Sequence, residues 1–149
     1  MKFPLLLLTI IVGCTALTLR AHEAHAAYGP AVTARVILQT QTDGTGAKFH
    51  YPVDAPAEVT LLQVEIAVGQ QTGWHIHPIP CFAYVIEGAL TVETDTGSNR
   101  AFKAGDALAE VINVRHNGIN TGTTPVRLLF FAVSTAGQPY AVSTPIPAK

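Results

Sequence analysis

The stretch GWHIHPIPCFAYVIEG, Gly73–Gly88, decides how this chain folds. Side chains two apart on extended backbone point to the same face, so His75 and His77 face together, while Trp74 and Ile76 take the other face. Pro78 and Pro80 cannot donate to a sheet ladder and interrupt the strand just after His77. The β-rich run from Phe82 to Glu87 then carries on to Gly88. Either the prolines around Ile79 preorganise the approach of Cys81, or they make a plain strand-end turn. A histidine pair by itself reads equally well as two surface residues on an exposed edge.

Outward from this stretch the chain reads as strand after strand. Ala31–Thr40, Val59–Val68, Phe82–Asp95, Arg100–Gly105, Ala107–Ile112 and Val126–Ser134 are rich in β-branched and aromatic residues or alternate with period two. Turn sequences fall between them: TDGTG at 42–46, EGA at 87–89, DTGSN at 95–99, KAGD at 103–106 and NTGTTP at 120–125. No long window outside the first residues has helical periodicity. Short strands at this spacing predict an all-β chain closed into a barrel or jelly roll.

Composition limits the partners. The 149 residues allow one domain, and 48% hydrophobic against 13% charged residues suffices for a sizeable core. The formal charge of -1 is spread over scattered acids and bases, with no basic run to neutralise phosphates, which speaks against nucleic acid. Lys2, the apolar run PLLLLTIIVGCTALTL and the small-x-small pattern AHA at 24–26 read as a secretory signal over residues 1–26, leaving 27–149 as the barrel domain. Two alternatives are a lipoprotein signal ending at residue 13, with IVGC placing a lipid anchor on Cys14, and an uncleaved anchor. Each exports the domain, to the periplasm, the cell surface or the medium, and once the signal is cleaved the mature chain has no membrane span. Cleavage before Ala27 removes Cys14 and leaves Cys81 without a disulfide partner, so that thiol is either hidden or used.

A third histidine, His116 in NVRHNGIN, changes the weight of the pair. A hairpin can bring it back across the barrel, and three imidazoles from two strands with open positions left suit iron, manganese, copper or catalytic zinc. Glu110, six residues before His116, is a further candidate as substitute ligand or general base, or simply a solubilising acid. Glu87 reads as a surface turn residue, Asn120 as a strand-junction residue, and His50 as structural or exposed.

These residues stand in a frame that resembles the small single-domain bacterial cupins of the type-2 conserved-barrel group. Their first motif, G-x5-H-x-H-x3-E-x6-G, is matched by Gly69, His75, His77 and Gly88 (residues 69–88), with Cys81 in place of the glutamate. Their second, G-x5-P-x-G-x2-H-x3-N, is matched by Gly105, His116 and Asn120 (residues 105–120), with Val111 and Asn113 replacing the proline and glycine. The resemblance implies a cupin barrel holding a divalent transition metal through His75, His77 and His116. Fe, Mn, Zn, Cu and Ni are the options, with Fe favoured. Cys81 would be a fourth ligand, a reactive thiol beside a three-histidine iron, or a small buried side chain, and a thiolate would favour softer metals than a carboxylate does.

Taken with the signal, the same resemblance implies an exported metal-binding cupin. It would be either a metal-dependent, dioxygenase-like enzyme acting on a small organic molecule or a non-catalytic domain that binds a metal or small ligand. The alternation places Phe82, Ala83, Val85, Phe130 and Phe131 near the pocket and so suggests a fairly apolar substrate. Small cupins pair through their outer strands, and RLLFFAV (Arg127–Val133) could serve a homodimer or the barrel's own core.

Overall fold

The computed structural model describes residues 35–51 and 56–147, and the predicted signal, residues 1–26, lies outside them. Among the described residues there is no helix, and none is therefore long and apolar enough to cross a membrane. In chain order the strands are β1 (Ala57–Ile66), β2 (His75–Ile76), β3 (Cys81–Glu87), β4 (Ala89–Thr94), β5 (Asn99–Lys103), β6 (Ala107–Ala109), β7 (His116–Asn120), β8 (Val126–Thr135) and β9 (Val142–Ser143). They form two antiparallel sheets, ordered β1-β8-β3-β6 and β5-β4-β7-β2-β9. The all-β double sheet of a jelly roll is thus present.

The strand β8 shows most plainly why these residues make this fold. Val126, Leu128, Phe130, Ala132 and Ser134 are buried while Arg127, Leu129 and Phe131 between them are exposed, a strict period of two. Ala83 and Val85 of β3 meet β8 across the ladder, and Leu90 and Val92 of β4 close the core from the other sheet. Full burial of a side chain such as Val85 or Val126 contributes about 1.5–3 kcal/mol.

The chain passes from one sheet to the other between β3 and β4, at Gly88. Its φ of +86° lies in the left-handed region, and a Cβ built there would stand 2.6 Å from the Pro125 carbonyl oxygen. Only glycine fits this corner.

Two strand expectations need correction. Ala31–Thr40 is not a strand over its described part: residues 35–40 pair with nothing, and Val36, Ile37 and Leu38 are exposed. β propensity without a ladder partner does not make a strand. The run Ala107–Ile112 is a strand only as far as Ala109, and beyond it Ile112 makes one isolated bridge to His77 as the chain turns toward His116. A loop at 42–48 folds back beside this exit. Asp43 accepts hydrogen bonds from Thr45 N (2.8 Å), Thr45 Oγ1 (2.7 Å), Ala47 N (2.9 Å) and, across the chain, Ile112 N (2.9 Å).

Candidate metal centre

His75 lies on β2, His77 follows it, and His116 opens β7 directly opposite His75 in the ladder. The strand does break after His77, which makes only a single bridge to Ile112 before the proline segment. The rings close into a triangle, with centroids 4.9 Å apart for His75–His77, 4.3 Å for His75–His116 and 4.9 Å for His77–His116. Their ligand atoms lie within 4.8 Å of one another, so the three form a group that could hold a metal ion.

Each ring is fixed from behind by a backbone carbonyl. Nδ1 of His75 donates to Gly73 O (2.8 Å), that of His77 to Tyr140 O (2.6 Å) and that of His116 to Val114 O (2.9 Å). A carbonyl only accepts, so each Nδ1 carries a proton and, in the neutral ring, Nε2 is the nitrogen that keeps a lone pair. Burial drives the pKa of His77 down to about 3, helped by the neighbouring imidazoles and opposed by the Tyr140 hydrogen bond. Burial likewise takes His116 down to about 4. Both rings are therefore neutral near pH 7, the form a metal requires.

The histidines face a cavity of about 270 Å³ between the sheets. Leu62, Val64 and Ile66 of β1, Leu90 and Val92 of β4, and Leu128 and Phe130 of β8 make its walls, with Thr72, Glu110, Tyr140 and Ser143 adding polar atoms. Of the aromatic residues expected here, Phe130 alone arrives, 5.2 Å from the His77 ring. Phe82 and Phe131 pair on the outer face, where Phe49 packs edge-on against Phe82 at 5.3 Å, and Ala83 and Val85 stay in the core. Residues next to each other on a strand cannot both face inwards.

Cys81 is wholly buried in the core, and its Sγ lies 3.9 Å from the Tyr140 carbonyl that holds His77. The structure brings the three histidines together and leaves Cys81 behind them, outside the group. Burial, reinforced by Glu110, pushes the thiol pKa up to about 12, so the thiol is protonated.

Glu110 lines the histidine cavity and also a second one of about 180 Å³, next to Arg100 and the hydroxyls of Thr45, Thr94, Thr96 and Ser98. Burial raises its carboxyl to about pKa 7, against the pull of Arg100. Glu87 is a surface residue paired with Arg127 at 3.0 Å. Asn120 donates to Ile66 O and Thr124 O at a strand junction (both 2.9 Å), and His50 is exposed.

Sequence reasoning missed the tail: Tyr140 and Ser143 reach the site because β9 pairs with β2 at the far edge of the sheet. Two isolated strand residues beside prolines give no periodicity from which to find them.

Comparison with known proteins agrees with this geometry. Residues 62–132 match the cupin domain family. A cupin-like protein from Thermotoga maritima is 20% identical over 58% of this chain and 64% of its own, with a TM-score of 0.52. An uncharacterised conserved protein with a double-stranded β-helix domain from Klebsiella pneumoniae is 20% identical over 63% of this chain and 81% of its own, with a TM-score of 0.51. An oxalate oxidase in complex with the substrate analogue glycolate is matched over only 45% of its length, at 25% identity and a TM-score of 0.48. No curated protein matches the sequence. At these identities the likeness concerns the fold, and with the matched segment and the paired sheets it gives this chain a cupin-type fold.

Proposed function

We propose that His75, His77 and His116 hold a divalent transition metal through their Nε2 atoms, iron being favoured, and that the cavity beside it receives a small, mostly apolar organic molecule in an oxygenase-type reaction. The observation that carries this reading is the set of three Nδ1–carbonyl hydrogen bonds. Three rings held through Nδ1, with their Nε2 atoms left to face one another, form a preorganised donor set, and such second partners typically govern metal affinity. Three nitrogen donors leave open positions, and a metal so held supplies Lewis-acid or redox chemistry to a molecule in the cavity. The chain's own part is to exclude water with its apolar walls, to position the guest against Phe130 and Tyr140, and to offer Glu110 as its one carboxyl in the cavity lining.

The protein is proposed to work after export, with residues 1–26 removed. Intact mass of the purified product tests this, and lipid on Cys14 is the rival outcome.

Metal content of the wild type, His77→Ala and Cys81→Ser tests the site. Stoichiometric metal that persists in Cys81→Ser and vanishes in His77→Ala is the expected result. Loss in both variants makes Cys81 a ligand, and no metal in the reconstituted wild type overturns the reading. Oxygen consumption with small organic substrates then separates an enzyme from a domain that holds its metal without turnover.

A further inference from the structure

Glu110 stands apart from the three-histidine group, yet it lines the cavity those residues face. In the family frame the carboxylate belongs at position 81, where this chain has a buried thiol. The acid that reaches the cavity comes from the exit of β6 instead, where Glu110 N is anchored to Cys81 O at 2.9 Å. Glu110 also lines the second cavity, where Arg100 and the hydroxyls of Thr45, Thr94, Thr96 and Ser98 stand among apolar side chains, so it borders both chambers. None of the residues lining the histidine cavity is Lys or Arg, and an anionic guest would find no protein cation there.

Resting on the three-histidine reading, we propose that Glu110 is the acid–base residue of this site. The guest is then an uncharged, mostly apolar molecule with one ionisable hydroxyl, whose proton passes to Glu110. The step balances: the guest O–H bond breaks, its electron pair stays on the guest oxygen, and the proton forms an O–H bond on the carboxylate. The second cavity then lets Glu110 exchange that proton with solvent while the guest fills the first. Burial has already brought the carboxyl to about pKa 7, close to what proton transfer from a weakly acidic hydroxyl requires.

The test uses zinc-loaded protein and 4-chlorophenol at pH 8. Ultraviolet difference spectra report phenolate, and calorimetry in buffers of different ionisation enthalpy reports protons released per ligand bound. A phenolate bound beside Glu110 raises the carboxyl pKa further, so the carboxyl keeps the proton in the complex and the wild type is expected to form bound phenolate with well under one proton released. E110Q, checked for folding by circular dichroism and for zinc stoichiometry, is expected either to release about one proton more or to bind the phenol un-ionised. E110D, which restores an acceptor, should return release to the wild-type value. Spectra and proton counts of E110Q equal to the wild type overturn the proposal, as does failure of the zinc-loaded wild type to ionise or bind the phenol, and both outcomes leave the metal reading standing. Failure of the wild type to bind zinc overturns both.

Discussion

At the scale of single residues, Asn113 shows how a departure from the family's motif still obeys its physics. The second motif has glycine at this place, and Asn113 holds a φ of 57°, the one non-glycine positive φ among the described residues. Asparagine tolerates the left-handed region better than most side chains, and a β-branched residue does not. Asn113→Gly is therefore expected to change stability by less than about 1 kcal/mol, and Asn113→Val to cost about 2 kcal/mol or more, in urea unfolding. The turn sits where Asn113 N donates to His77 O at 2.9 Å, so the valine variant should also weaken metal binding. Asp43 steadies the same turn from outside. Burial tends to raise its pKa, but its hydrogen bonds to Ile112, Thr45 and Ala47 outweigh burial and set it below the ordinary 3.8. A depressed folded pKa means that the stabilisation is present above the unfolded value and is lost as pH falls through the folded one. Asp43→Ala should lose about 1–3 kcal/mol at pH 7, and its deficit against the wild type should shrink below about pH 4 in pH-dependent denaturation.

At the scale of elements, β8 and β3 were legible because each alternates, and β7 was not. His116–Asn120 reads HNGIN, two asparagines and a glycine with little β propensity, and it becomes a strand because β4 offers a full ladder from Leu90 to Thr94. The histidine pair was legible from its spacing, and its convergence with His116 followed from the family frame. The carbonyls behind the rings were not legible, because backbone acceptors leave no trace in residue identity. The strap Tyr140–Ser143 is the main case: β9 pairs only with β2, yet its flank supplies the His77 acceptor and part of the cavity wall. Truncation after Gln138 is expected to lower metal affinity by about 10–100-fold while leaving the β1-β8-β3-β6 sheet folded. Competition with a chromophoric chelator and far-ultraviolet circular dichroism check the two halves of that statement.

At the scale of the whole molecule, the outer face of the β1-β8-β3 sheet carries a contiguous apolar patch. Leu61 pairs with Phe131 and Val59 with Val133, and Val59 and Leu61 are each 61% exposed. A patch of this kind suits a second copy of the chain, and Leu61→Glu should convert a dimer to a monomer in light scattering without loss of metal. A wild type that is already monomeric would remove that expectation. The hydrogen bond from His77 to Tyr140 O bears on the order of assembly. It joins positions 63 residues apart, and β1 cannot pair until β8 exists. The donor set is thus complete only when nearly the whole chain has been made and has folded back on itself. Long-range pairing of this kind is slow. If the chain is exported, as proposed above, and crosses the membrane unfolded, the ion it keeps would be drawn from the supply on the far side, and the place of folding would then help to choose the metal along with the ligands.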